Sequence, residues 1–251
     1  MFTKSRKVVA LALASTVALT GVAIAGTTGA DLNDANVVGK VTPNKLDKKK
    51  FKPVALFLGV ENSPDSTGNE DANAAAENIK ISDNVKVNLK NTPICTTELE
   101  NGTPTDVARD ICPNGSYIGK GDAEVYGPGA FCSPPQVDPC VGAEPVVSVF
   151  HGPEQDELQL HTYDPGLGAA SPVVDAAIVK ANKKGYGQAL DVPNAPTTGA
   201  LKITKFNAEL FKDSKVAKAR CKPKEIKFLR KVTYHDDSSE TAKLTQKCKV
   251  K

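Results

Sequence analysis

Residues 95–125 read CTTELENGTPTDVARDICPNGSYIGKGDAEV, and we interpret this stretch as the unit around which the chain is organised. Cys95 and Cys112 bracket a helix signal, and a Pro-Asn-Gly turn at 113–115 leads into an apolar strand at 116–125. The pattern predicts a short helix that a disulfide ties back beside a strand. Such a unit organises a fold but indicates no chemistry.

The helix signal lies at residues 103–112. Thr103 offers a capping hydroxyl, Pro104 suits the first helical position, and Asp106 places a carboxylate in the first turn. Four residues are predicted to share the buried face of the helix, since they lie at helical spacing: Val107, Ala108, Ile111 and Cys112.

Residues 1–25 carry the three parts of an export signal. Cations at positions 4, 6 and 7 precede an apolar run at 8–18, and Ala-Ile-Ala at 23–25 is the small-x-small pattern that a signal peptidase recognises. The run is interrupted by polar residues and is shorter than the roughly 18 to 20 apolar residues of a spanning helix. We therefore expect cleavage before Gly26, a secreted or wall-associated product, and no membrane segment afterwards.

Residues 26–50 are expected to form a flexible start, with a possible edge strand at 37–42 and a Lys-rich tether beginning at Lys45. The remainder, 51–251, is expected to be a single β-sandwich domain. The run at 51–60 does not alternate after its proline, so we place it centrally in a sheet, covered on both faces.

Period-two alternation predicts most of the other strands. Residues 79–89 alternate on either side of a Ser-Asp-Asn turn and predict a hairpin, and a second hairpin is predicted from 146–151 and 158–163. Further strands are predicted at 173–180, 185–192, 199–211, 225–235 and 240–250. The predicted fold is therefore mainly β, a single two-sheet sandwich or open barrel with one short helix.

The six cysteines of this chain are expected to be paired, because exported proteins seldom keep free thiols. Their spacing favours three local bonds: Cys95 with Cys112, Cys132 with Cys140, and Cys221 with Cys248. Zinc is disfavoured because no C-x-x-C spacing occurs.

The formal net charge of +3 equals the three cations of the export signal. Residues 202–251 hold 15 Lys and Arg against 6 Asp and Glu, whereas 26–201 carry the opposite excess. One interpretation is a basic face for an anionic wall polymer. We favour the other, a basic C-terminal segment docked beside acidic strands of the same domain, and we expect no nucleic-acid partner for an exported protein.

Three motifs resemble an uncharacterised family of exported actinobacterial proteins: the run at 51–60, the triplet Pro93-Ile94-Cys95, and Cys112 followed by IGKGDA at 118–123. The resemblance covers most of the mature chain but does not extend to Cys132 and Cys140. It implies secretion and a β-rich domain. It transfers no catalytic residue.

The three histidines are the natural candidates for catalysis or metal binding. If the hairpin centres on residues 154–155, His151 and His161 point to opposite faces of the sheet and share no metal. His235 precedes two aspartates, which could orient an imidazole as in a catalytic triad. The segment is also a good polar hairpin turn, and we favour the turn.

Two other motifs are expected to have structural roles and not to form chemical sites. The glycines of 115–121 match a phosphate loop poorly and are expected to permit a strand bend or bulge. The acids of 61–76 lack the spacing of a calcium loop and are expected to lie in a solvated loop. We expect no cofactor and no resident metal.

The sequence thus favours a secreted, non-enzymatic module whose ligand is unknown. Its predicted contact surface is the proline-rich loop at 128–141, with an anionic wall polymer or another surface protein as partner. Two alternatives stay open: a secreted hydrolase whose site is assembled only by the fold, and a structural surface or spacer protein.

Overall fold

The computed structural model describes residues 35–62, 74–126, 141–195, 202–235 and 237–251. The predicted export signal, most of the acidic loop at 61–76, all but the last residue of the loop at 128–141 and the predicted Cys132–Cys140 bond lie outside these ranges. Within the described part of the chain, no helix has the length and apolar character needed to cross a bilayer.

Most of the regular secondary structure of the described chain is β-strand. In chain order they are β1 (Ala35–Thr42), β2 (Lys45–Leu46), β3 (Lys52–Pro53), β4 (Ala55–Asn62), β5 (Ala74–Ser82), β6 (Val85–Val87), β7 (Tyr117–Tyr126), β8 (Val141–Ala143), β9 (Val146–His151), β10 (Glu157–Tyr163), β11 (Val173–Lys180), β12 (Tyr186–Val192), β13 (Lys202–Leu210), β14 (Ala217–Ala219), β15 (Glu225–Tyr234), β16 (Ser239–Lys247) and β17 (Lys249–Val250). One α-helix, α1 (Thr105–Ile111), lies between β6 and β7.

Twelve strands form one antiparallel sheet in the order β1-β4-β13-β7-β9-β10-β11-β12-β5-β15-β16, with β8 paired to β7. The sheet curls until β1 approaches β16, so that it is nearly closed into a barrel. The predicted mainly β fold with one short helix is confirmed, in its open-barrel form. Side chains that alternate along each strand therefore face either the barrel interior or its outside.

The two ends of the sheet meet without a backbone ladder between them. Instead, the side-chain amide of Gln246 on β16 takes the place of a backbone ladder and bonds both backbone groups of Val41. Its Oε1 accepts from the Val41 N–H at 2.8 Å, and its Nε2 donates to the Val41 carbonyl at 3.1 Å. Gly39 permits the close approach, because a Cβ there would lie 2.5 Å from the ring of Phe228 on β15. The seam between β1 and β16 is thus closed by side chains.

A small three-stranded sheet, β3-β14-β6, packs across one end of the barrel and forms its floor. Val85, Val87, Ala217 and Ala219 of this sheet are buried in the same apolar cluster as the inward residues of the barrel. The amide of Gln188 on β12 binds both backbone groups of Val87, at 2.8 and 2.9 Å. The floor is therefore bonded to the barrel wall as well as packed against it.

The predicted hairpin at 79–89 is wrong in its pairing. The turn is present, but β6 pairs with β14, and β5 pairs with β12 and β15. Asn84 explains the departure: it is fully buried, and its Nδ2 donates to the carbonyls of Pro223 and Glu225 at 3.1 and 3.0 Å. Because these bonds anchor the turn to the loop before β15, the chain leaves the barrel sheet there and enters the floor.

The second hairpin is confirmed in register. His151 lies opposite Leu158, Val149 opposite Leu160, and His161 opposite Ser148. The strand predicted at 173–180 is confirmed residue for residue, and those at 185–192 and 225–235 are confirmed to within one residue at each end. The stretch at 240–250 divides into β16 and β17.

The run at 51–60 is not covered on both faces. Its first part contains β3, and its residues from Ala55 onward belong to β4, which lies next to the terminal strand β1 and pairs with β1 and β13. Leu56 is buried in the interior, whereas the outward side chains of Ala55 and Phe57 are only half-buried.

The helix differs from its prediction at its start and in its buried face. Pro104 occupies the cap position, and the Thr103 hydroxyl donates to the Glu100 carbonyl at 2.8 Å without capping the helix. Ala108 is buried, but Val107 and Ile111 are 46% and 45% exposed. The helix has seven residues and contacts the sheet along a single stripe, so only one line of side chains is covered.

Two predicted disulfides are confirmed. Cys95–Cys112 holds α1 against the outside of the barrel, in a small apolar cluster with Leu99, Ala108 and Phe150. Cys221–Cys248 joins the end of the floor strand β14 to the end of the closing strand β16. One bond therefore holds the outer layer in place, and the other holds the floor to the seam.

We expect Gln246→Ala to lower the free energy of unfolding by about 1–3 kcal/mol, because both backbone groups of the buried Val41 lose their partners. Thr245→Ala, at an exposed position on the same strand, is the control and should change it by less than about 0.5 kcal/mol. Urea denaturation measures both. Equal losses in the two variants would contradict this description of the seam.

Candidate functional site

The barrel interior contains an apolar cavity of about 110 Å³. Its wall consists of inward side chains from β4, β5, β9, β10, β11, β12 and β13, and Val87 of the floor sheet closes one end. The wall residues include Leu58, Val60, Ile79, Ile81, Val149, Leu158, Leu160, Val174, Leu190, Phe206 and Ala208. Apolar cavities of about 150 Å³ stay dry and take up benzene-sized molecules, so this space is suited to an apolar guest.

The cavity extends from the floor toward the opposite end of the barrel. Leu56, Val87 and Leu210 lie at the floor, while Ala74 and Ala195 lie near the other end. The Ala195 N–H donates to the Ala75 carbonyl at 2.8 Å, which holds the end of β12 to the start of β5. The wall is therefore continuous along β5 and β12.

A single ionisable side chain, Glu77 on β5, is found among the described residues that line the cavity. Its carboxylate binds the guanidinium of Arg230 on β15 in a bidentate ion pair, with Nε donating to Oε2 at 2.9 Å and Nη2 donating to Oε1. Arg230 is fully buried and the Glu77 side chain is 10% exposed. The polar content of the cavity is thus concentrated at one point of its wall.

Arg230 also connects this pair to the far side of the seam. Its Nη1 donates to the carbonyls of Asn36 on β1 and Glu61 on β4, both at 3.0 Å. At least four of the five guanidinium N–H donors are therefore engaged within the protein. The guanidinium neutralises Glu77 and ties β15 and β5 to β1 and β4.

Glu77 and Arg230 were not predicted as site residues from the sequence. Both lie at inward positions of their strands, Arg230 between Phe228 and Val232, and Glu77 two residues before Ile79. The sequence signal for these residues is that each is a charged residue at a position where the period-two pattern of its strand calls for an apolar one. The pattern could not show that the two charges meet.

The structure separates the three histidines. His151 and His161 are both buried, but on opposite faces of the β9–β10 hairpin, as predicted. The ring nitrogens of His151 lie 2.9 Å from the Thr92 carbonyl and 3.1 Å from the Gln155 carbonyl. Backbone carbonyls therefore hold His151 in the sheet.

His235 is exposed in the turn between β15 and β16. The Tyr234 N–H donates to the Ser238 carbonyl at 3.0 Å across this turn, which confirms the predicted hairpin. Asp236 lies outside the described residues. In the ranges that the structure covers, no three His, Cys, Asp or Glu side chains are grouped as a metal site requires.

The glycines of the phosphate-loop-like stretch have the predicted conformational role. A Cβ on Gly121 would lie 1.8 Å from the Asn207 carbonyl oxygen, and one on Gly119 would lie 2.6 Å from that of Glu209. The ladder between β7 and β9 shifts register between Tyr117 and Gly119. These glycines therefore permit β13 to approach β7 closely, and Gly119 lies at a bulge in the ladder between β7 and β9.

His161 lies outside the cavity, beneath the loop that precedes α1. Its Nε2 lies 2.7 Å from the Thr103 carbonyl and therefore carries the proton, while Nδ1 has no hydrogen-bond partner among the described residues. Burial is the main cause that lowers the pKa of His161, and the positive charge of Arg109 adds to the effect. This neutral imidazole belongs to the outer layer.

No family model matches this chain, and no curated protein matches it significantly.

We expect Arg230→Met to lower the free energy of unfolding by about 3–5 kcal/mol, because the variant leaves the carboxylate of Glu77 buried without its partner. The double variant Arg230→Met with Glu77→Leu should lose less, since no charge remains in the interior. Urea denaturation of the two variants decides the matter. A double variant less stable than the single one would contradict this account of the pair.

Acidification should destabilise the protein through His161. Its native pKa lies below the value of about 6.5 expected in the unfolded chain, so the unfolded chain binds a proton that the native state does not. The free energy of unfolding should therefore fall as the pH drops below about 6.5, by at most about 1.4 kcal/mol per pH unit from this group. Denaturation across this range should show a shallower decline for His161→Gln. An equally steep decline in that variant would contradict the assignment.

Proposed function

We propose that the protein is an exported, non-enzymatic binding module that holds a small apolar molecule inside its barrel. The observation that carries the proposal is the cavity of about 110 Å³, walled by inward Leu, Ile and Val side chains and closed below by the floor sheet. Well-formed apolar pockets with few polar groups are the common form of small-molecule sites. An interior built only for stability would be expected to pack without such a space.

The proposed site of action is outside the cell. Two disulfides, Cys95–Cys112 and Cys221–Cys248, suit an oxidising compartment. The export signal predicted at residues 1–25 also supports an extracellular location. An apolar molecule that must pass through an aqueous compartment is stabilised by enclosure in such a barrel.

Binding to the cell wall or to another surface protein is a separate hypothesis from ligand binding in the barrel. Binding of an anionic wall polymer or a surface protein was predicted for the loop at 128–141 and the basic segment 202–251. Two basic residues of that segment, Lys205 and Arg230, pair with Glu124 and Glu77 of the acidic part of the chain. These pairs support internal docking of the basic segment over its use as a polyanion surface.

The binding proposal is tested by calorimetric titration with benzene, a neutral apolar molecule whose size suits a cavity of this volume. Wild-type protein should bind benzene, and Ala208→Phe should weaken binding at least about tenfold, because the ring enters the cavity. Ala170→Phe makes the same change at an exposed position and should bind like the wild type. Circular dichroism checks that each variant is folded.

Two results of this experiment would overturn the proposed function, each for a different reason. No binding by the wild type would overturn the proposed function. Equal binding by the wild type and a folded Ala208→Phe variant would place benzene outside the cavity and would also overturn it.

A further inference from the structure

We infer that the cavity selects an apolar molecule that ends in a hydrogen-bond donor such as a hydroxyl, and that it rejects the same molecule ending in a carboxylate. This inference rests on the proposed function, since it concerns the ligand of the same cavity. The residues that carry it are Glu77, which lines the cavity, and Arg230, its partner in the buried ion pair.

Arg230 is not available to bind an anion. Its donors are directed to both oxygens of Glu77 and to the carbonyls of Asn36 and Glu61. A ligand carboxylate could bind the guanidinium only by displacing Glu77 or by breaking the bonds across the seam. Either change leaves a buried polar group without its partner.

Glu77, in contrast, retains capacity to accept. Each of its oxygens receives one hydrogen bond from Arg230, and an ionised carboxylate has about four acceptor positions. About two positions therefore remain for a donor in the cavity, next to otherwise apolar walls. A hydroxyl at the end of an apolar ligand would meet a charged acceptor there.

The net charge of the Glu77–Arg230 pair determines which of the two ligand types is preferred. The Glu77–Arg230 pair is neutral as a unit, so a hydroxyl adds no charge to the interior. A carboxylate would bring a second negative charge beside Glu77, in surroundings that solvate charge poorly. The expected preference is therefore alcohol over carboxylate, and alcohol over an analogue that can only accept.

Three ligands with the same butyl chain separate these effects: n-butanol, butyl methyl ether and pentanoate. Calorimetric titration of the wild-type protein, at a pH where pentanoate is ionised, should give n-butanol at least about a tenfold lower Kd than either of the others. The ether lacks the donor but keeps the chain. It therefore measures the contribution of the hydroxyl hydrogen bond.

Glu77→Gln should reduce the discrimination against pentanoate, because the variant removes the negative charge beside which a second carboxylate would lie, while its amide oxygen still accepts a hydrogen bond. The ratio of the pentanoate Kd to the n-butanol Kd should therefore be at least about threefold smaller than in the wild type. Glu154→Gln makes the same change at an exposed turn position and should retain the wild-type ratio.

The possible results are distinguishable. The inference is overturned if pentanoate or the ether binds the wild type as tightly as n-butanol, or if a folded Glu77→Gln variant keeps the wild-type ratio of the pentanoate and n-butanol Kd values. If Glu77→Gln does not fold, the wild-type ligand series decides alone. If none of the three ligands binds the wild type, the proposed function fails with it.

Discussion

The closure of one sheet upon itself is the constraint on which the rest of this structure depends. β1 and β16 lie at opposite ends of the strand order and share no backbone ladder. Gln246 bonds both backbone groups of Val41 across the gap, and Gly39 lets β1 pass close to the ring of Phe228. Because the gap is closed by side chains, an ordinary antiparallel sheet becomes an enclosure. The cavity exists only as a result of that closure.

The buried pair of Glu77 and Arg230 strengthens the same closure at the cost of desolvating two charges. That cost is offset by hydrogen bonds to both members of the pair and to two carbonyls beyond the seam. Two apolar residues could fill the same positions without this desolvation penalty. The pair gives the interior one oriented acceptor in an apolar wall, which is the arrangement that the proposed ligand selectivity requires.

The outer layer has a different role from the cavity. Segment 95–112 covers the outside of β9 and β10, and its disulfide and α1 pack on Phe150. These two strands are consequently buried on both faces, with Leu158 and Leu160 inside and Gln159 and His161 outside. The stretch that organises the fold therefore lies on the opposite side of the sheet from the candidate site.

The sequence by itself determined the mainly β class, most strand positions, the β9–β10 register and two disulfides. These features follow from period-two alternation, turn residues and local cysteine spacing, which act over short distances along the chain. Only the tertiary structure decided that β6 leaves β5 for the floor, because Asn84 binds the loop before β15. It also decided the meeting of Glu77 with Arg230, which are 153 residues apart. A strand pattern shows which face a charge occupies, but the partner across a closed barrel depends on strand order and curvature, and neither is written in local periodicity.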